Sequence, residues 1–352
     1  MSATLCETPA SLGPELLDRW RQLAEARENP FLTPEWTLAW HESQAEERPF
    51  TLLWTQEGEL RGVLPLARPR RGPLHFAGAR RGDWFTPACA PADEEAMARD
   101  CAQLLGREGG GRLLRLDRVD TAGAWPQALW AAGSPLAPAR ARRRDTLPFV
   151  DLGAGWDGYL AGRSRNFRSQ LGRRRRKLER EHGLGFRLAE DRDRLEADLD
   201  LFWELHEERW SGRGGSSSGG EATQRFQRRF AAAALERGWL RLWIAEADGE
   251  PAAAWYGWRL GNRYCYALSG FRQRYEELSI GTVLLAHTIE QAAAEGATVY
   301  DLMWGEEPYK QRFETGRREA ATWVLGRRRS PRTVAAALRT TLERGARRAV
   351  RR

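Results

Sequence analysis

The residues best suited to chemistry lie between Tyr264 and Phe313. A β-type run, Tyr264-Cys265-Tyr266-Ala267-Leu268-Ser269, gives way to an irregular polar connection from Gly270 to Glu277. Leu278-Ser279-Ile280-Gly281-Thr282 then leads into a helix predicted from Val283 to Glu295, and Val299-Tyr300-Asp301-Leu302 reads as a short strand. The loop Met303 to Pro308 closes the stretch at Tyr309-Lys310-Gln311-Arg312-Phe313. Strand, Gly-containing turn, helix and strand make a unit able to hold a phosphorylated ligand on the first helical turn. There the backbone N–H groups lack partners and the dipole favours an anion. Ser279 and Gly281 are small enough for a phosphate to approach the backbone. Many such units bind nothing, so the rest of the chain has to carry the decision.

The 352 residues have room for roughly two domains of ordinary size. With 16 Trp and 12 Phe there is ample material for two cores. No run of about 18 apolar residues suggests a membrane span. The first residues, Met1 to Glu7, show no secretion signal, so a cytoplasmic location is expected. Cys6, Cys89, Cys101 and Cys265 are scattered without a CxxC pair, which argues against a disulfide frame and a thiolate metal site. The net charge of +8 favours anionic partners such as phosphorylated cofactors, RNA or acidic membrane. Lysine occurs only at 177 and 310, so each of the two is a hint of a place where a compact ammonium is wanted.

Along the chain, helices are predicted over Gly13–Glu28 and from Pro34, with Trp36 and Trp40 on one face. A hairpin follows: Phe50 to Thr55, a turn at Glu57-Gly58-Glu59, then Leu60 to Leu66. Arg68 to Pro73 is a basic loop, and Arg80 to Pro87 is irregular yet aromatic. A helix from Asp93 to Leu105 and a strand from Arg112 to Asp117 come next. The second half repeats the order. A long basic helix, Leu160 to His182, and an amphipathic helix, Arg192 to Trp210, precede a Gly/Ser-rich linker or lid from Ser211 to Gly220. After a helix from Thr223 to Arg237, a second hairpin turns at Asp248-Gly249-Glu250. Both hairpins run from Trp into an acid-Gly-Glu turn, which reads as a degenerate internal duplication. The copies differ at one helix start: Asp93-Glu94-Glu95 in the first, uncharged Ser279 to Val283 in the second. Helix-end charges are worth ~0.3–1 kcal/mol each, so the anionic ligand belongs to the second copy. Glu276 and Glu277, just upstream, are expected to point away.

The second half resembles the GNAT acyltransferase superfamily, in particular its tandem branch of CelD-like acetyltransferases and Fem-type aminoacyltransferases. The resemblance rests on Arg165-Asn166-Phe167-Arg168 through Arg176-Lys177-Leu178, on Leu205-His206-Glu207-Glu208-Arg209-Trp210, and on the Gly249-Glu250-Pro251 hairpin. Ser279 with Gly281, and Tyr300 to Gly305 with Tyr309-Lys310, complete it. The family's pyrophosphate signature, Q/R-x-x-G-x-G/A, is not intact: Gln273 lies too far upstream and only Gly281 lines up. The resemblance implies a mixed α/β fold of two tandem GNAT-like domains, each a twisted, mostly antiparallel sheet flanked by helices. Expected boundaries are 1–150 for a degenerate acceptor-side domain, 151–330 for the donor domain, and 331–352 for a basic amphipathic helix.

It further implies direct acyl transfer, with acyl-CoA (acetyl-CoA) as co-substrate and no metal. The acceptor would be an amine or hydroxyl of a small molecule or of a polysaccharide, peptide or other cell-envelope precursor. Leu268, Ser269, Leu278, Ser279, Ile280, Gly281 and Thr282 are the expected donor-binding residues. Glu306, Glu307, Asp301 and Lys310 are the catalytic candidates: carboxylates as base, the ammonium facing donor phosphate or carbonyl. For each there is a plain structural alternative, such as a loop acid, a strand-end cap or a surface lysine. Asp83, Trp84, Phe85 and Tyr309 are assigned to the acceptor. Aminoacyl-tRNA is the second donor, a non-catalytic scaffold in surface-polymer assembly is the reading from another class, and peripheral contact with acidic membrane stays open. Other chemistry is absent from the sequence: His206 to Trp210 is not HExxH, and no GxSxG, P-loop or zinc spacing occurs.

Overall fold

A computed structural model describes residues 2–139, 143–211, 220–305 and 307–336. The chain divides into two compact units, Met1–Thr146 with Arg318–Arg352, and Leu147–Arg317. In the first, β1 (Ser2–Cys6) precedes α1 (Pro14–Ala26) and α2 (Pro34–Ser43). The hairpin β2 (Glu47–Gln56) and β3 (Glu59–Pro69) leads to β4 (Leu74–Phe76), β5 (Ala88–Cys89) and α3 (Glu94–Glu108). Then come β6 (Leu114–Asp120), α4 (Trp125–Ala128), β7 (Leu136–Pro138) and the start of β8 (Arg143–Asp151). The second unit contains α5 (Gly155–Ala161), α6 (Arg165–His182), β9 (Gly185–Leu188), α7 (Leu195–Trp210) and α8 (Glu221–Glu236). The strands β10 (Leu240–Ala247), β11 (Glu250–Leu260) and β12 (Arg263–Phe271) lead into α9 (Ile280–Ala294), β13 (Val299–Asp301), α10 (Pro308–Phe313) and β14 (Gly316–Arg327).

The duplication is visible in the backbone. The β2–β3 and β10–β11 hairpins turn through Glu57-Gly58 and Asp248-Gly249, all four with positive φ, as a two-residue type I′ turn requires. Each hairpin also carries a bulge near the turn, at Trp54/Thr55 and at Ala245/Glu246. In each unit a helix separates two strands that pair in parallel, β4 with β6 and β12 with β13, within an otherwise antiparallel sheet. These are two tandem domains of one mixed α/β fold.

The sequence reading leaves residues up to 330 in the second domain. The structure instead pairs β14 with β6 of the first, Ala321 opposite Val119 and Leu325 opposite Leu114. The single helix expected from Leu160 to His182 is two: the chain breaks at Gly162–Ser164, where the Ser164 Oγ accepts the Phe167 N–H and starts α6. Only 331–336 of the expected C-terminal helix, and the two ends of the Ser211–Gly220 linker, fall among the described residues.

In the second unit alternation along β11 serves two helical layers. Trp255 faces Tyr264, Tyr266 and Tyr300 in the core beneath α9. Its neighbour Tyr256 meets Phe202 of α7, and Trp258 meets Phe230 of α8. Such wholly buried side chains stabilise by roughly 1.5–3 kcal/mol each. In the first unit Trp20, Phe31, Trp36, Phe50, Trp54 and Trp125 are fully buried.

His287 of α9 tests the packing of this layer. Its ring stacks on Phe186 at 3.8 Å and meets Trp243 edge-on at 4.9 Å, with neither nitrogen hydrogen-bonded. Burial, with Arg175 nearby, lowers its pKa to about 4. The unfolded chain takes up this proton near pH ~6.5, so stability is full above that pH and falls as pH drops toward the folded value. The denaturation midpoint is therefore expected to fall between about pH 7.5 and about pH 5, and His287→Phe to remove ~1–2 kcal/mol of that fall. His41, also held near 4, accounts for a remainder. An unchanged pH slope in the variant would contradict this packing.

Candidate active site

β12 has β13 as a parallel neighbour only over Arg263–Cys265. Beyond Cys265 the two strands are no longer paired, while β12 continues to Phe271 along β11. The register along β11 jumps from Tyr256↔Leu268 to Gly257↔Tyr266, leaving Ala267 as the bulged residue. A bulge turns backbone groups away from the ladder, at the point where the sheet opens.

A cavity of about 200 Å³ lies there, lined by Trp255, Tyr266, Ser269, Gly270 and Phe271 from the strands and by Arg209 of α7. The start of α9 supplies Ser279, Ile280, Gly281 and Thr282, and Tyr309 comes from α10. Ser279 has left-handed backbone (φ 59°) and makes no side-chain cap, and the first turn of α9 has no acidic residue. The Thr282 N–H is taken by the Ser279 carbonyl at 2.9 Å, which leaves the N–H groups of Ile280 and Gly281 at the helix start with no carboxylate of their own turn against them. In the first unit the matching tip carries an acid: Glu94 of α3 is buried and paired with Arg27 at 2.9 Å.

One close contact builds the polar side of the cavity. A side chain on Gly270 would meet the α7 backbone at 2.3 Å from the His206 nitrogen and 2.4 Å from the Leu205 carbonyl carbon. Without it, α7 lies directly on β12. His206 Nδ1 donates to the Ser269 carbonyl at 2.9 Å, and Arg209 donates to the Ser269 Oγ and, at 3.3 Å, to its carbonyl. The Ser269 Oγ is 2.5 Å from the Tyr266 hydroxyl, which accepts from the Tyr309 hydroxyl at 3.2 Å. The Arg209 guanidinium stands over the rings of Phe271 and Tyr309. Burial, reinforced by Tyr266 and Glu307, pushes the Tyr309 phenol well above the usual tyrosine range, so it stays a proton donor. Burial lowers the His206 pKa, which keeps that ring neutral.

Of the residues expected from sequence to hold the donor, Ser269 and Ser279 to Thr282 meet in this cavity, while Leu268 and Leu278 do not line it. Glu276, expected to point away, lines the rim. Lys310 is buried, and its ammonium is turned into its own loop. There it is paired with Glu307 at 2.9 Å and donates to the carbonyls of Trp304 at 3.0 Å and Met303 at 3.4 Å. Asp301 is fully buried against Arg263 at 2.5 Å. Glu306 lies outside the described residues. In the first unit Asp83 is buried and paired with Arg118, which also donates to the Ala79 and Gly82 carbonyls. Phe85 stacks on Phe76, and Trp84 meets Phe31 edge-on, so these side chains are held in the packing of that unit. Arg209, Trp255, the Tyr266 hydroxyl and Phe271 were not foreseen. The i, i+3 spacing of His206 and Arg209 was the available signal, since it puts both on the face of α7 that meets β12.

A sheet that opens beside an uncharged helix tip, with hydrogen-bonding groups along the opened strand, makes this cavity the candidate site. Residues 165–311 match the family described as "Acetyltransferase (GNAT) domain". This match to a GNAT acyltransferase domain lies within the second unit. Among solved structures the chain is similar to FemX, with a TM-score of 0.65 at 12% identity over 92% of this chain and 97% of that one. It is also similar to the C-terminal domain of a putative lysylphosphatidylglycerol synthetase from Agrobacterium fabrum, with a TM-score of 0.60 at 12% identity over 93% and 95% of the two chains. The corresponding figures for L-PGS from Bacillus licheniformis are 0.58 and 14%, over 94% and 96%. At these identities the likeness is one of fold, and it extends through both units. No curated protein matches the sequence.

Gly270→Ala is expected to push α7 off β12, since the new methyl meets backbone that cannot rotate away. A loss of ~1–3 kcal/mol is the usual cost of such overpacking. Thermal unfolding gives the readout, and a melting temperature equal to that of the parent would show that the close approach is not needed.

Proposed function

We propose that the protein transfers an acyl group from acyl-CoA to an amine or hydroxyl of a cell-envelope or polysaccharide precursor, with the donor held in the second unit. The observation that carries this reading is the cavity shared by the α9 tip and the unpaired half of β12. Phosphate seats on the N–H groups at Ile280 and Gly281, and the thioester runs along Tyr266 to Ser269 toward the bulge. Backbone N–H groups there polarise the carbonyl, a contribution worth ~2.7–4 kcal/mol for one well-aimed donor.

Attack by the acceptor gives a tetrahedral centre, and its collapse expels the thiolate. Tyr309, kept protonated by its surroundings, is positioned to give that leaving group its proton, with Tyr266 and Ser269 holding the phenol in place. Glu276 at the cavity rim is the carboxylate we assign to the acceptor's proton. Lys310 and Glu307 act as positioning residues: their ion pair fixes the loop from which Tyr309 projects. Asp301 with Arg263 fixes the end of β13 in the same way.

A second reading replaces the CoA ester with an aminoacyl-tRNA ester. It is favoured by the end-to-end likeness of fold to FemX and by the broken pyrophosphate signature around Gly281. The lysylphosphatidylglycerol synthetases, by their names, join lysine to a phospholipid, an acyl transfer to a lipid acceptor.

Acyl-CoA compounds are expected to raise the melting temperature and to release free thiol when an amine or hydroxyl acceptor is supplied. Gly281→Asp puts a carboxylate at the phosphate seat and is expected to weaken donor binding by roughly tenfold, from ~1–2 kcal/mol of lost helix-end attraction. Tyr309→Phe is expected to leave donor affinity intact and lower kcat by about 10²-fold. Deacylation of aminoacyl-tRNA, with no response to any acyl-CoA, would select the second reading. Equal donor affinity in Gly281→Asp and parent would move the site elsewhere.

A further inference from the structure

The first unit carries a strongly cationic face that the transfer reaction does not use. Three adjoining clefts of about 490, 540 and 670 Å³ surround the loop between β3 and β4 and share Arg70, Arg71 and Arg112. Together their walls hold seven arginines against two glutamates, Glu46 and Glu47. Neither acid is spare. Glu46 is 3.2 Å from Arg70, and Glu47 is engaged by His75 at 3.2 Å and by the Trp40 indole at 2.7 Å.

Two of the arginines are held in place. Arg112 donates to the carbonyls of Gly72 at 3.0 Å and Arg70 at 3.2 Å, which folds the loop over it. Arg68 lies over the Phe50 ring, is 3.6 Å from Glu7 and donates to the Glu108 carbonyl at 3.1 Å, while its Nε is buried without a hydrogen-bond partner. Arg48 sits directly opposite Arg68 in the β2–β3 ladder. Like charges opposite one another destabilise a sheet. Glu7 reaches Arg68 alone, so an anion seated beside Arg48 lowers what remains of that penalty, and neither Arg48 nor Arg71 has an acid partner among the described residues.

We propose that this face docks on a membrane surface rich in anionic phospholipid, with lipid phosphates entering the arginine clefts. Two observations favour a bilayer over RNA. The edge of the patch carries Arg332 beside Val334, which is 49% exposed, and the sequence beyond Ala336 continues basic and apolar through Leu338, Arg339, Leu342 and Arg344. An exposed apolar residue set beside an arginine suits the boundary between headgroups and acyl chains. RNA-binding surfaces stack bases on exposed aromatic rings. No large aromatic is exposed among the described residues of the first unit, and the exposed Trp304 belongs to the second.

Co-sedimentation of the full-length protein with vesicles tests the assignment. The protein is expected to pellet with phosphatidylcholine vesicles containing phosphatidylglycerol, not with phosphatidylcholine alone, and to be released by salt. Arg48→Glu with Arg71→Glu is expected to cut the vesicle-bound fraction by about tenfold or more, near the effect of removing two arginines from an anionic surface. Arg165→Glu with Arg225→Glu, the same change in net charge on the second unit, is expected to leave most of the binding intact. Equal loss in the two double variants would reduce the effect to net charge and overturn the proposal. So would no preference for anionic vesicles, or retention on polyuridylate without retention on vesicles.

Discussion

β12 has a neighbour on its β13 side for three residues only, Arg263 to Cys265, and the site depends on that short pairing. Parallel strands joined through a helix normally stay in register along their length. Here the buried pair of Asp301 with Arg263 fixes the joined end, and the Ala267 bulge turns β12 just past it. The opening exposes strand edge in the interior of a fold, where unpaired backbone groups are costly. The start of α9 lines the same cavity, so strand backbone and helix end meet there.

The two units show how one scaffold can keep or lose such a site. Both have the I′ hairpin and both place a helix between parallel strands. The difference lies in a few side chains at the helix tip. In the first unit, Glu94 stands buried at the start of α3, paired with Arg27. In the second, Ser279, Ile280, Gly281 and Thr282 leave the helix start open to the cavity. Substitutions of this size cost the fold little, because α3 keeps its own apolar face against the sheet.

Lys310 illustrates how a correct family position can mislead about a side chain. Its place after Tyr309 was legible in the sequence, and a cation aimed at the donor followed from the resemblance. The loop before it turns through Met303 at φ 60° and Gly305 at φ 144°, which brings the Trp304 carbonyl and Glu307 onto the ammonium. Positive φ at a methionine is not predictable from local propensity, so the direction of Lys310 was decided by the turn. Arg209 is the converse case: it lies in a stretch that carries the resemblance but was given no role, and it is brought to Ser269 because Gly270 lets α7 settle on the strand.

What the sequence determined was local and periodic: the two acid-Gly turns, the alternation of β11, the uncharged start of α9 and the sign of the charge on either helix tip. Each depends on residues within a few positions of one another, where steric and dipolar preferences act directly. Tertiary structure alone decided that β12 and β13 part after Cys265, that β14 returns to the first unit, and that Arg209, Tyr266 and Tyr309 share one hydrogen-bonded chain. Those outcomes depend on which surfaces are buried together, and burial is a property of the whole fold rather than of any stretch within it.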